Sequence, residues 1–123
     1  MADLGIVNEG ATARYTATLT DETGAAINGT ALDSLVLTAY VADTGAILNS
    51  RNAQNVLNTN GVTIDAAGLL TWTLAPADNA ISTTVATMTY ERHVGYFLAT
   101  WASGTKKCPH EMSWLVRNLT KAT

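Results

Sequence analysis

A single cysteine, Cys108, stands among 123 residues. It excludes an intrachain disulfide and, with it, the stapled architecture of small secreted domains. Proline occurs twice and phenylalanine once. No apolar run approaches the ~20 residues that span a bilayer as a helix, and no long stretch carries an amphipathic helical period. Charge is scarce too: 14% of residues are charged, against about 25% in an average soluble domain. Ten acidic residues oppose seven Lys and Arg, for a net charge of −3. Apart from Lys106-Lys107 the cations are scattered, so there is no basic stripe to neutralise phosphates, and nucleic acid is not an expected partner. Residues 1–10, MADLGIVNEG, lack the basic and apolar regions of a signal peptide. The expectation is a chain kept in the cytoplasm, or released by a route other than secretion, with no membrane partner.

What the sequence has in quantity is threonine, twenty residues, many spaced two apart. Threonine is β-branched and stiff at χ1, and it suits a pleated, half-buried surface. ATARYTATLT (11–20) alternates cleanly: Tyr15, Ala17 and Leu19 face one way and threonines the other. That period of two predicts a strand with one wet face. DETG (21–24) reads as a turn. SLVLTAYVA (34–42) is a second strand, apolar on both faces, and AILN (46–49) is expected to return as its hairpin partner after DTG. RNAQNVLNTNG (51–61) is asparagine-rich and predicts an irregular loop, because asparagine bonds its own backbone and tolerates left-handed conformations. VTID (62–65) and LLTWTL (69–74) are strands around an AAG turn, and A-P-A-D-N-A forms a helical or 3₁₀ turn where Pro76 ends the ladder. STTVATMT is expected to be a crossing connection with a short edge strand.

The C-terminal third holds both histidines, the cysteine and two of the three tryptophans. Arg92 to Trp101 alternates, as does His110 to Arg117, and ASGTKK between them predicts a hairpin with Ser-Gly at the tip. In that register Phe97 lies near His110 and His93 near Trp114. The two histidines then sit about four residues apart along the ladder, roughly 13 Å, too far to share a metal held by ~2 Å bonds. A Cys108 nucleophile served by His110 shares one face, yet Pro109 lies between them, and a hairpin shoulder offers neither a third orienting group nor an enclosed pocket. The plainer reading makes Cys108 a small apolar group and Lys106-Lys107 a solvated loop tip that guards a sheet edge. Asp21, Asp43, Asp65 and Asp78 each mark a turn, while Glu91 and Glu111 flank strands. Trp72, Trp101 and Trp114 lie in alternating strands and are expected in the core. The reading is therefore an all-β single domain, 1–123, of about seven antiparallel strands with residues 1–10 as an N-terminal arm. A sandwich is favoured over a small barrel because several strands pair an apolar face with a threonine face. No cofactor, metal or catalytic residue is expected.

Several motifs carry a resemblance: the DTG turn (43–45) followed by Ile47, Asn49 and Arg51; the Asn55-Val56 step; G-x-L-T-W-x-L-x-P-x-D from Gly68 to Asp78; and R-H-V…F…W (Arg92, His93, Val94, Phe97, Trp101) closing into HEMSWLVRNL. Over about residues 15–119 the chain resembles small immunoglobulin-like structural proteins of tailed bacteriophages, departing from them in STTVATMTY. The resemblance implies an immunoglobulin-like sandwich built into a virion, assembled in the host cytoplasm. Its role would be capsid decoration or cement, or head-tail neck, through contacts with capsid, connector or tail proteins and with itself. Expected partner contacts are Lys106, Lys107, Arg51, and Asp3 and Leu4 of the N-terminal segment. The alternative is a tail, baseplate or carbohydrate-binding module using Tyr40, Tyr90 or Tyr96.

Overall fold

The computed structural model describes residues 2–81 and 90–119. The expected STTVATMT connection lies outside them. Eight strands run in chain order among the described residues: β1 (Ala2–Asn8), β2 (Ala13–Thr18), β3 (Leu32–Val41), β4 (Gln54–Asn55), β5 (Val62–Ile64), β6 (Leu69–Leu74), β7 (Tyr90–Trp101) and β8 (Lys106–Arg117). They form two sheets, β1-β8-β7-β3-β4 and β2-β6-β5, and the inner faces of both meet in one core. The chain is an all-β sandwich.

The alternation in the sequence decides which side chains turn inward. From β3, Leu35, Leu37, Ala39 and Val41 are buried; from β6, Leu70, Trp72 and Leu74; from β8, Met112, Trp114 and Val116. Trp72 of the small sheet meets Phe97 and Trp114 of the large sheet edge-on, with ring centroids 5.6 and 5.4 Å apart. Edge-to-face pairs of this kind contribute roughly 0.5–1.5 kcal/mol each beyond area burial. Gly95 makes room for them. A Cβ there would lie 2.9 Å from Met112 Sδ and 3.2 Å from the Trp72 ring.

The β7–β8 hairpin closes in the expected register, with Phe97 opposite His110 and His93 opposite Trp114. Its loop is shorter than expected, residues 102–105, where Ala102 and Ser103 adopt positive φ ahead of Gly104. Lys106 and Lys107 are thus the first residues of β8, not a loop tip. The asparagine-rich loop is irregular as expected: Ala53, Asn58 and Asn60 have positive φ, as do Asn49 and Ser50 just before it, and only Gln54–Asn55 pairs with β3. AILN makes one isolated bridge, Tyr40 to Ile47, in place of a hairpin strand.

The clearest departure is at the N-terminus. The segment expected as an arm is β1, which pairs parallel with β8, Ala2 opposite Met112 and Asn8 opposite Arg117. The large sheet is therefore mixed, not wholly antiparallel. A one-residue bulge interrupts β1 between Asp3 and Ile6, where Gly5 takes φ +105° and donates its amide to Asp3 Oδ1 at 2.9 Å. Ala2, Leu4 and Val7 pack partly against the core. That apolar contact, absent from any clean alternation, is what holds the segment down.

Candidate interaction face

A buried polar chain ties the asparagine-rich loop to the connection after β6. Arg51 Nε donates to Asp78 Oδ1 at 2.6 Å and Nη2 to Oδ2 at 3.1 Å. Asn49 Nδ2 and the Ala75 amide complete the carboxylate's partners. Arg51 Nη1 also donates to Gln54 Oε1 and to the Asn60 carbonyl, and the guanidinium lies 5.4 Å from the Trp72 ring centroid. Arg51 is 4% exposed and Asp78 fully buried. The expectation that Arg51 meets a partner is corrected here: four hydrogen bonds hold it inward. A loop arginine with a free charge and one that pairs 27 residues downstream look alike in sequence. The only available signal was that Asn49-x-Arg51 and Asp78 belonged to the same motif set.

Beside this pair the Asp78 carbonyl lies 3.2 Å from His93 Nδ1, and His93 Nε2 lies 2.6 Å from Glu91 Oε1. A carbonyl only accepts, so Nδ1 carries a proton. The second contact then requires one more proton, shared between Nε2 and the carboxyl. Both side chains are closed off from solvent. Their i, i+2 spacing on β7 places both on the inward face, and in sequence Glu91 looked like a strand flank only.

The other reactive-looking groups are apart from it. His110 Nε2 meets the Tyr15 hydroxyl at 2.6 Å, bridging the two sheets. Burial pushes the His110 imidazole below, and the Tyr15 hydroxyl above, their ordinary values. Cys108 is half-buried, opposite Ala99, and burial raises its thiol, partly offset by a hydrogen bond with the Thr20 backbone. A raised thiol holds less nucleophilic thiolate at neutral pH. His93, Cys108 and His110 do not converge. Among the described residues no group of three or more His, Cys, Asp and Glu side chains is placed to hold a metal ion. A cleft of about 250 Å³ opens near Arg51, lined by Asn49, Gln54, Asn60, Gly61, Thr73 and Ala75 as well. No aromatic ring lines it, which removes the usual stacking platform for a sugar.

What the fold does present is a broad outer face on the large sheet. Cross-strand register sets its rows: Val36–Leu98–Pro109; Thr38–Tyr96–Glu111; Tyr40–Val94–Ser113–Asp3; Arg92–Leu115–Ile6; and Tyr90–Arg117–Asn8. Val36, Leu98, Leu115, Ile6 and three tyrosines share the face with Asp3, Glu111, Arg92 and Arg117, and Lys107 lies at one end; Val94 and Ser113, in the central row, are buried. Arg92 reaches over the centre to donate to Ser113 Oγ at 3.0 Å, and Arg117 lies 6.0 Å from the Tyr90 ring centroid. Neither arginine nor Lys107 has a carboxylate partner among the described residues. A face that mixes aliphatic, tyrosine and arginine side chains has the composition of protein–protein contact surfaces.

The remaining expected contacts distribute unevenly. Asp3 lies on this outer face, while Leu4 sits in the bulge and packs partly on the core. Lys107 is exposed and on the outer face. Lys106 is engaged by Glu22 across the open end of the sandwich. Of the three tyrosines, Tyr90 is exposed at 40%, and Tyr40 and Tyr96 are half-buried in the rows. No protein-family profile matches the chain, and no curated protein matches it.

Proposed function

We propose that this chain is a non-enzymatic structural protein of a tailed-phage virion, stabilising the particle by protein–protein contact as a capsid decoration or cement protein or as a neck component. The observation that carries the reading is the outer face of the five-stranded sheet, with its aliphatic and tyrosine side chains and two arginines that have no carboxylate partner among the described residues. The strand order supports an immunoglobulin-like reading. In such domains A-B-E-D faces C-F-G, and here β2-β6-β5 faces β8-β7-β3, with β4 added beside β3 and β1 beside β8. The use of both histidines and the thiol in packing supports a protein without an active site. Low surface charge supports large, weakly polar contacts that repetition in a symmetric particle would turn into avidity.

The test is to mix the purified chain with purified tailed-phage heads, connectors and tails, and to sediment each mixture. Saturable, stoichiometric capture on one particle type is expected. Failure on all three, combined with saturable binding on a glycan array, would transfer the reading to a carbohydrate-binding module.

A further inference from the structure

The dipeptide Asn-Gly occurs twice, at Asn28-Gly29 and at Asn60-Gly61. Asparagine before glycine is the pairing most prone to deamidation, because no side chain shields the backbone nitrogen that attacks the asparagine amide. Local sequence scarcely separates the two; the fold does. At the first, Gly29 is buried, and its amide donates to the Asp65 carbonyl at 3.0 Å. The nitrogen that would attack is therefore spent. Asn28 Oδ1 accepts from the Thr30 amide at 3.0 Å and the Thr30 hydroxyl at 2.6 Å. A Cβ on Gly29 would lie 2.4 Å from the Asp65 carbonyl oxygen, so the backbone has no room to turn.

At the second, Asn60 and Gly61 are both exposed and line the cleft of about 250 Å³ beside Arg51. The Gly61 amide donates to no acceptor among the described residues. The Asn60 side chain is tethered there by one bond, Nδ2 to the Asn55 carbonyl at 2.8 Å. Arg51 Nη1 donates to the Asn60 carbonyl at 3.2 Å. That oxygen belongs to the same peptide group as the Gly61 nitrogen. A cationic donor on it stabilises the anion left when the nitrogen loses its proton.

We infer that Asn60 is a site of spontaneous deamidation, selected by the fold, with Arg51 activating the attacking amide. Solvent base takes the Gly61 proton, and the nitrogen attacks Asn60 Cγ. The Cγ–Nδ2 bond breaks, and ammonia leaves with a proton from water. One water then opens the succinimide at either carbonyl, giving aspartate or isoaspartate at position 60. The net change is one water in and one ammonia out. Either product loses the donor to Asn55 and brings a carboxylate toward that carbonyl, so modification loosens β4 at the edge of the large sheet.

The test ages the chain at mildly alkaline pH, folded and in guanidinium chloride, and maps both sites by peptide mass spectrometry with enzymatic isoaspartate detection. In the folded chain Asn60 should react about tenfold or more faster than Asn28; in denaturant the two rates should converge. The melting temperature should fall as the modified fraction grows, and should hold on ageing in Asn60→Gln. The double variant Arg51→Met with Asp78→Leu, shown folded by circular dichroism, should slow the reaction at Asn60. An unmodified Asn60 in the folded chain, an Asn28 that reacts as fast, or a difference that persists in denaturant would each overturn the site. A rate that holds or rises in the folded double variant would remove Arg51 from it, and an unchanged melt would remove the effect on β4.

Discussion

Arg51 and Asp78 meet through two parallel hydrogen bonds, Nε to Oδ1 and Nη2 to Oδ2, with Asp78 fully buried and Arg51 4% exposed. The pair joins the loop beyond β3 to the 3₁₀ turn Pro76–Asn79. It also anchors, through the Asp78 carbonyl, the imidazole of His93. Removing one member strands the other's charge. Asp78→Ala is expected to cost about 3–5 kcal/mol in a urea unfolding experiment. Replacing both at once, Arg51→Met with Asp78→Leu, should cost clearly less than the single variant, because no charge is then left buried. Equal losses would mean that the pair's hydrogen bonds to Asn49 and Ala75 matter more than its charge.

The packing around Gly95 leads to a second expectation. In Gly95→Ala the new methyl meets Met112 Sδ and the Trp72 ring. The sulfur can move at the end of a flexible chain, but the indole is fixed by two edge-on neighbours. The variant should lose roughly 1–3 kcal/mol by overpacking, seen as a lower urea midpoint with an unchanged slope.

His110 gives the stability a pH dependence. Its imidazole is half-buried against Tyr15, and burial holds it below the 6.5 of a free histidine. The unfolded chain therefore binds the proton more readily than the folded one. Stability contributed by this group is present above pH 6.5 and is lost as pH falls below it, toward the folded value. Melting temperature should decline between pH 7.5 and 5.5, and His110→Gln should shallow that decline, since glutamine can also hydrogen-bond the Tyr15 hydroxyl and does not titrate. An unchanged slope in the variant would assign the dependence elsewhere.

Lys106 and Glu22 form an ion pair with both side chains in water. The contact lowers the Glu22 carboxyl and raises the Lys106 ammonium, hydrogen bonding being the larger cause in each. Exposed pairs lose most of their attraction to solvent and side-chain entropy. Lys106→Ala should leave the melting temperature within measurement error of the parent. A distinct drop that vanishes in high salt would show the pair to be a real clamp between the DETG turn and β8.

Much of the fold was legible because burial imposes a period of two on a strand. Tyr15, Trp72 and Trp114 fell on the inward face where alternation put them, Leu35 and Leu37 share one face as the alternation grouped them, and the hairpin register followed from two alternating runs and a short loop. The 3₁₀ turn at Pro76 was legible for a different reason: proline lacks the donor that a ladder needs. The candidate face was only half legible. Each strand's outward residues could be written down, but not which strands lay side by side, and hence not that Tyr96 stands beside Glu111 or Ile6 beside Leu115.

By itself the sequence determined the all-β class, the positions of β2, β3, β5, β6, β7 and β8, the turns at the Asp and Gly clusters, and the separation of the two histidines along one hairpin. These depend on side-chain period and local backbone preference, which act within a few residues. Only the tertiary structure decided that residues 2–8 join β8 as a parallel edge strand, that Arg51 turns inward to Asp78, and that Glu91 and His93 share a proton in the core. Those outcomes depend on contacts between residues far apart in the chain or on closure of the core around them. A charged side chain's fate there is set by whether a partner and enough burial meet in space, and neither is encoded in its immediate neighbours.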